Sequence, residues 1–347
     1  MKTGHYVTPL TQEGIDRFAA AASELKRAFW WRDSLALRLA AFVYARAAAP
    51  PDCAALRRAF ALIRGRAGVF SPFRGNMSPF LAALLSLPSP RRDTLADEAL
   101  SKTLKLYSTM RGLGFRAGDR LVMAAFQLAS QTPADRCEAV ALRALSFYMS
   151  LKAPLSFLTC EDGCITAAAL ALSDADVAES VARVRELYEH LRRRLLSKQG
   201  AWLLAQLLAA GGSGGDSQSE AAHALALRDA LRARRVDIDT PRALPMLAAL
   251  AALPAAPSDV ANEVAGACAA LRERKGFSAA CVAADELLLY ASALAANGLA
   301  RGAQNGLAAT ALCGGVIGAI AARQVMVMAI CAVSATAAVT TSAPGRR

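Results

Sequence analysis

Apolar residues recur at helical spacing along nearly the whole chain. Leu100, Leu104 and Tyr107 fall on one face of a helix, and residues 181–195 repeat that spacing. No convincing run alternates apolar and polar residues with the period of two that a half-buried strand requires. The pattern therefore predicts an all-α protein.

Several helix starts are marked by threonine followed by proline. The pairs are Thr8–Pro9, Thr132–Pro133 and Thr240–Pro241. Threonine is a favoured N-cap residue, and proline is tolerated at the first helical position because its missing N–H has no partner there anyway. We expect a helix to begin at each pair.

The predicted helices come in pairs with a period near 40 residues. Each unit consists of an amphipathic helix, a turn with one apolar residue, a short polar loop and an Ala/Leu-rich helix. A period of this length, built from helix pairs, is typical of an α/α superhelix, or α-solenoid. The apolar turn residues are 39 to 46 residues apart and are Val69, Phe115, Phe157, Leu196, Val236 and Phe277.

The second helix of each predicted pair is almost entirely apolar, as in LVMAAFQLA, AWLLAQLLAA and LPMLAALAAL. A helix that is apolar on every side is normally buried, so we expect these helices to form an inner layer. The turns within pairs then lie along one edge of the array. We call this edge the loop rim and predict that it carries the binding face (residues 69–78, 115–120, 157–164, 196–200, 236–241 and 277–281).

The turn SPFRGN over residues 71–76 carries the strongest candidate binding group. Its proline and glycine set a sharp turn, on which Arg74 would be a rigid donor for a carboxylate or phosphate. A structural role is also open, in which Arg74 caps helix carbonyls or pairs with Asp119. Asp162 has two interpretations as well, ligand binding or capping of the helix that begins near Ile165. The candidate binding residues are Ser71, Phe73, Arg74, Asn76, Asp119 and Asp162.

The composition adds a strong positive charge, with 40 basic and 28 acidic residues and a net charge of +12. Such a balance suggests nucleic acid or an anionic membrane as a partner. However, 33 of the basic residues are arginines spread along the chain. The longest run, 192–194, falls at a predicted helix C-terminus, where positive charge complements the helix dipole. Nucleic acid therefore stays a minor alternative.

The sequence contains no recognisable catalytic or metal-binding arrangement. Cys160 and Cys164 form a C-x-x-x-C pair with no second pair near them, whereas a zinc site needs four ligands. The three histidines are far apart at His5, His190 and His223. We predict no metal, cofactor or catalytic residue, and whether the protein is an enzyme stays open.

Other features predict a cytoplasmic protein. The N-terminus lacks the continuous apolar region of a secretory signal. The eight cysteines are scattered, mostly in Ala-rich segments such as those around Cys268 and Cys281. This distribution is typical of free, buried thiols in a reducing compartment. The Trp30–Trp31 pair is predicted to pack in the core or at a hinge.

Two segments differ from the repeats. GGSGGDSQS over 211–219 is predicted to be a flexible connector between an N-terminal half, 1–210, and a C-terminal half, 220–347, although one continuous array is the alternative. The strongly apolar residues 307–343 have two interpretations, a buried Ala-rich helix hairpin that ends the array or a membrane-associated segment. Arg323 favours the hairpin, because it would lie in the middle of a membrane span.

An ordered set of motifs resembles one bacterial protein family. The motifs are VFSPFRGN, GFRAGD with LVMAAFQLA, LSFLTCEDG with ITAAALALS, KGFSAA and ARQVMVMAICAVSATAAV. Together they resemble the family catalogued as domain of unknown function 4003, over nearly the whole chain. The resemblance implies an all-helical cytosolic protein and supplies no activity, cofactor or catalytic residue. The loop at 160–164 departs from the Asp-rich family pattern, so this member would bind any ligand there differently.

The absence of a catalytic arrangement favours a non-catalytic helical-repeat protein that binds a protein partner through the loop rim. One alternative is a small-ligand-binding protein or enzyme that uses the loops at 71–76 and 160–164. Another is membrane association through residues 307–343.

Overall fold

The computed structural model describes residues 7–87, 92–152, 163–173, 175–211, 216–240 and 243–306. Within these ranges the protein has fourteen α-helices and no strand, which confirms the all-α prediction. The helices are α1 Pro9–Ala28, α2 Ser34–Arg46, α3 Cys53–Arg66, α4 Ser78–Leu85, α5 Arg92–Gly112, α6 Asp119–Gln131, α7 Cys137–Lys152, α8 Gly163–Ala171, α9 Val177–Leu191, α10 Lys198–Gly211, α11 Ser217–Ala233, α12 Met246–Ala251, α13 Pro257–Arg272 and α14 Ala284–Gly306.

The threonine–proline pairs have different outcomes. Thr8 is the N-cap of α1, because its hydroxyl accepts from the backbone N–H of Thr11. At the second pair the helical start is displaced: Thr132 is the extended C-cap of α6, Pro133 is the N-cap of a 3-10 turn over Ala134–Arg136, and this turn leads directly into α7 at Cys137. A residue that precedes proline is driven out of the helical region, which explains why a helix ends there. Thr240 caps a turn that precedes α12.

The helices form consecutive hairpins, each with an amphipathic outer helix and an apolar inner helix. The inner layer is confirmed, since nearly every residue of α4, α8 and α12 is buried. The outer helices bury one face only; in α9 this face includes Val181, Val184 and Leu187. The seven outer helices α1, α3, α5, α7, α9, α11 and α13 begin 39 to 45 residues apart.

The hairpins close into a ring. Each hairpin contacts the next, and the first also contacts the last, through α1 with α13 and α14 and through α2 with α14. An open superhelix would leave its two ends apart. Here the apolar faces of the first and last hairpins cover each other. In an open array, polar capping units are needed to shield these terminal faces from water.

The contact between the first and last hairpins, which we call the seam, contains buried polar groups. Glu263 on α13 is 5% exposed and accepts from the Thr8 backbone N–H at 3.0 Å and the Thr8 hydroxyl at 2.5 Å. The carboxylate therefore caps the N-terminus of α1, where the helix dipole favours negative charge. On the inner side, Arg38 of α2 donates two hydrogen bonds to Glu286 of α14, at 2.6 and 3.1 Å, and the Tyr290 hydroxyl donates to the same carboxylate.

The seam also contains an aromatic cluster and a close approach of two helices. Phe18 on α1 lies 5.2 Å from Phe277 and 4.8 Å from Tyr290, measured between ring centroids. Gly298 of α14 lies directly against Thr11 of α1. A Cβ at Gly298 would be 2.9 Å from the Thr11 backbone nitrogen and 3.0 Å from its Cα, closer than packed atoms normally approach.

The apolar residues that mark the turns in the sequence are not all buried. Val69 and Leu196 are 72% and 91% exposed, and the buried positions in these turns belong to Phe73 and Leu195. The local turn, not the sequence spacing, decides which side chain points inward. Phe157 lies outside the described residues. The buried turn residues are Phe29, Phe73, Phe115, Leu195, Val236 and Phe277.

The predicted connector at 211–219 overlaps two helices. Gly211 ends α10, and Ser217 to Ser219 form the first turn of α11, with the Ser217 hydroxyl donating to Glu186 of α9 at 3.0 Å. Residues 212–215 lie outside the described ranges, and the division into two halves stays a prediction. The apolar segment 307–343 also lies outside them. Among the described helices, none has the length and apolar character that crossing a membrane requires.

Gly298→Ala is expected to weaken the seam. The added methyl group collides with backbone atoms of Thr11, so α1 and α14 must separate, at a cost of about 1–3 kcal/mol in the free energy of unfolding. Thermal or urea denaturation of the purified protein measures this loss.

Gly14→Ala is the matched control in the same interface. Its Cβ would meet only the end of the Leu294 side chain, at 3.4 Å. Alanine also favours a helix interior over glycine, so this variant is expected to be as stable as the wild type or more so. Equal stability of the two variants would contradict the close packing described for the seam.

Candidate functional site

The predicted binding turn at 71–76 is built around a buried phenylalanine. Pro72–Arg74 forms a short 3-10 turn, and the Ser71 hydroxyl accepts from the Phe73 backbone N–H at 3.4 Å. The Phe73 ring is 1% exposed and packs edge-on against Tyr107 at 5.2 Å. Ser71 therefore shapes the turn, and Phe73 anchors it in the core.

The Arg74 guanidinium donates to the carbonyl of Arg64, in the last turn of α3. This contact is the helix-capping role that the sequence left open, and Arg74 forms no ion pair with Asp119. The Arg74 Nε is buried without a hydrogen-bond partner among the described residues, so part of its donor capacity is unused. Asn76 is exposed beside it, whereas Asp162 lies outside the described residues.

Asp119 reaches the same turn from the first residue of α6. Its Oδ1 would be 2.5 Å from a Cβ at Gly75, so the absence of a side chain there makes room for the carboxylate. Burial raises the pKa of Asp119 above its ordinary value, and the charge of Arg120 opposes this only in part. The structure thus brings Ser71, Arg74 and Asp119 to one turn.

A set of exposed apolar side chains occupies the turns of the first two hairpins, which pack against each other. We call it the rim patch: Trp30 and Trp31 in the turn between α1 and α2, and Val69 and Phe70 in the turn between α3 and α4. Trp30 is 71% exposed and Phe70 is fully exposed. The prediction that the tryptophan pair packs in the core is wrong, because Asp33 caps α2 and places both residues in the preceding turn.

Aromatic rings and arginines form the base of the rim patch. The ring centroids of Phe29 and Phe60 are 5.8 Å apart and join the first hairpin to the second. The Arg32 guanidinium stands 4.5 Å from the Phe60 ring, and that of Arg57 stands 5.3 Å from the Phe29 ring. Burial and the nearby charge of Arg64 lower the pKa of Arg32. The patch therefore combines exposed apolar groups with positive charge.

The polar groups of other turns are occupied by contacts within the protein. In the turn between α5 and α6, Arg111 donates to the carbonyl of Phe115 at 2.6 Å. In the turn between α13 and α14, Arg272 donates to the carbonyl of Phe277 at 3.0 Å. Buried Arg228 binds Asp239 through two guanidinium nitrogens in the turn between α11 and α12. In these three described turns, arginine side chains are therefore used to hold the turn itself.

A cavity of about 550 Å³ opens at the seam, which we call the seam cavity. It lies between the first turn of the ring and the turn between α13 and α14. Its Cys281 thiol is exposed, which corrects the expectation that this cysteine is buried in a helix. By contrast, burial raises the pKa of Cys268 to about 12. The lining residues are Ala22, Ser23, Lys26, Arg27, Ser34, Leu37, Arg38, Lys275, Gly276, Phe277 and Cys281.

Sequence reasoning missed the seam cavity and the tryptophan pair of the rim patch, whereas Val69 and Phe70 lie in the loop 69–78 that it assigned to the loop rim. The cavity joins residues about 250 positions apart, such as Lys26 and Lys275, and a local pattern carries no information on that pairing. The rim patch had a local signal, because Asp33 is a favoured N-cap residue directly after the tryptophans. In the described part of the chain, no three His, Cys, Asp or Glu side chains are grouped as a metal ion would require.

Asp119 is expected to make stability depend on pH. Because its folded-state pKa is raised, the folded protein holds this proton more tightly than the unfolded chain does. Its contribution to stability is full below the ordinary aspartate pKa of about 4 and is lost as pH rises through the raised value.

Asp119→Asn removes this contribution. We expect the melting temperature of the wild type, relative to that of the variant, to fall as pH rises from about 4 towards neutrality. Thermal melts across this range measure the difference. A constant difference at every pH would show that the carboxylate is not desolvated against Gly75.

Comparison with known proteins agrees with the sequence motifs. A family model described as "Protein of unknown function (DUF4003)" matches residues 22–312, which include the rim patch and the seam cavity. No curated protein and no solved structure shows a significant match to the chain. The chain belongs to the DUF4003 family.

Proposed function

We propose that the protein is a non-catalytic helical-repeat protein that binds a partner protein through the rim patch. The observation that carries the proposal is the exposure of two neighbouring apolar turns, with Trp30 71% and Phe70 100% exposed. Large apolar side chains that stay exposed in neighbouring turns are typical of interaction surfaces.

The composition of the patch supports a protein partner. Tryptophan, phenylalanine and arginine are enriched at protein interfaces, and tryptophan and arginine dominate their binding energies. Each tryptophan would bury a large area at little cost in side-chain entropy. The edge-to-face contact of the Trp30 and Trp31 rings, with centroids 6.0 Å apart, further restricts both side chains before binding.

The charge around the patch selects the chemistry of the partner segment. Arg32, Arg57 and Arg64 surround the aromatic base and form no ion pairs with described residues, so the local field is positive. The best occupant is a partner segment with apolar side chains for the tryptophans and phenylalanine, flanked by aspartate or glutamate. Nucleic acid is the alternative occupant, because arginines bind phosphates and exposed aromatic rings stack on unpaired bases.

The repeat organisation belongs to the same proposal. We take the seven hairpins as versions of one unit of about 40 residues that places a turn at one edge. Arg111 and Arg272 support this view, because each lies near the end of an outer helix and donates to the carbonyl of the buried turn phenylalanine. We place the protein in the cytoplasm.

The test compares two double variants in affinity capture from the source cell. Trp30→Ser with Phe70→Ser removes the two most exposed side chains of the rim patch. The control, Leu142→Ser with Met149→Ser, removes exposed apolar groups from α7, where they are 47% and 56% exposed. Captured proteins are identified by mass spectrometry, nucleic acid is quantified, and the identified partner is then purified for titration calorimetry.

The proposal expects a partner whose affinity falls at least about 30-fold in the rim-patch variant, as for the loss of interface hot spots, and stays unchanged in the control. Equal affinity for both variants would contradict the rim patch as the binding surface. Enrichment of nucleic acid alone, unaffected by the rim-patch substitutions, would favour the nucleic-acid alternative.

A further inference from the structure

The seam cavity has a marked charge imbalance. Lys26, Arg27 and Lys275 line it, and none of them forms an ion pair with a described residue. Arg38 also lines the cavity, but its charge is balanced by the two hydrogen bonds to Glu286. No aspartate or glutamate is among the described lining residues. The cavity therefore presents three uncompensated positive charges from two distant parts of the chain.

The cationic groups are partly ordered before any ligand binds. The Lys26 ammonium donates to the Ser34 hydroxyl at 2.9 Å and to the Trp30 carbonyl at 3.4 Å, which leaves one of its three N–H groups unused. The Arg38–Glu286 pair fixes the inner wall. A ligand that binds here meets at Lys26 a donor whose side-chain entropy has already been reduced, which lowers the cost of binding.

The size and walls of the cavity suit a small molecule. A volume of about 550 Å³ lies in the range of small-molecule sites. Buried Leu37 and Phe277 supply an apolar wall, and the Ser23 and Ser34 hydroxyls supply neutral hydrogen-bonding groups. Such a site holds the charged end of a ligand at the ammonium and guanidinium groups and its carbon skeleton on the apolar side.

We propose that the seam cavity binds a small phosphate compound with two or more negative charges, held by Lys26, Arg27 and Lys275. Ammonium and guanidinium groups are the usual protein partners of phosphate oxygens. This site is separate from the rim patch and from the turn at 71–76, and it does not depend on a partner protein. Because the two hairpins of the seam share the charged groups, bound phosphate would also reinforce the closure of the ring.

The first test is titration calorimetry with inorganic pyrophosphate as the probe, at low salt, on the full-length protein. Lys275→Gln is the main variant, since Lys275 is exposed and makes no hydrogen bond or ion pair within the described structure. Lys105→Gln is the matched control, because it removes the same charge from an exposed position on α5. Melting temperatures without ligand verify that both variants are folded.

We expect Lys275→Gln to weaken pyrophosphate binding about tenfold or more, the usual effect of losing a charged hydrogen bond, and Lys105→Gln to leave it unchanged. Arg27→Gln is expected to behave like Lys275→Gln. Equal affinities for wild type and Lys275→Gln, or no measurable binding to the wild type, would overturn the proposal. Citrate binding as tight as pyrophosphate, with the same dependence on Lys275, would overturn the assignment to phosphate.

The Cys281 thiol provides a second readout at the cavity itself. Bound anion covers the thiol and disfavours its reactive thiolate, so pyrophosphate is expected to slow alkylation of Cys281 by iodoacetamide. Peptide mass spectrometry follows this rate beside that of Cys53, which lies outside the cavity. Protection of Cys281 in the wild type but not in Lys275→Gln supports the site. Unchanged alkylation of Cys281, or equal protection of both cysteines, counts against it.

Discussion

The closure of the ring at the seam is the constraint on which the rest of the structure depends. Each hairpin has an apolar face that only a neighbour can cover, and the two terminal hairpins have a neighbour because α1 meets α13 and α14. The closure is specific as well as apolar. The buried charge of Glu263 is compensated only when it reaches the N-terminus of α1, and that of Glu286 only when it reaches Arg38.

The inner layer shows how a chain rich in alanine builds such a ring. Small side chains let the inner helices approach closely, but they provide little shape to fix the register of one hairpin on the next. Two buried hydrogen bonds supply part of that register: Tyr44 of α2 contacts Ser86 after α4 at 2.5 Å, and Thr166 of α8 donates to Gln206 of α10 at 2.5 Å. Buried polar groups have few alternative partners, so a shifted hairpin would leave them unsatisfied.

Local features of the fold could be predicted from the sequence, whereas the site could not. The outer helices could be identified from amphipathic spacing, as at Val181, Val184 and Leu187. The inner helices could be identified from apolar sequences such as that of α12. Arg74 was recognised as a special residue of its turn, and the structure places it on a helix carbonyl, one of the two roles that the sequence left open. The ring itself, and with it the seam cavity, depends on contacts between the first and last hairpins. Because the repeats resemble one another, their pattern does not show which distant hairpins meet. Val69 and Leu196 show the same limit on a smaller scale, because a few residues of turn geometry exchanged the buried and exposed positions.

The rim patch and the seam cavity occupy opposite sides of the same short turn, residues 29–33. On one side Phe29 and Arg32 pack on Phe60 of the second hairpin, and on the other side Lys26 joins the Trp30 carbonyl to the wall of the cavity. This turn belongs to one of the two hairpins that close the ring, so its neighbours come from the beginning and the end of the chain. Two surfaces of different character therefore meet at it, the exposed tryptophans on one and the ammonium group of Lys26, which forms no ion pair with a described residue, on the other. In three other turns, Arg111, Arg228 and Arg272 instead bind carbonyls or a carboxylate of their own turn.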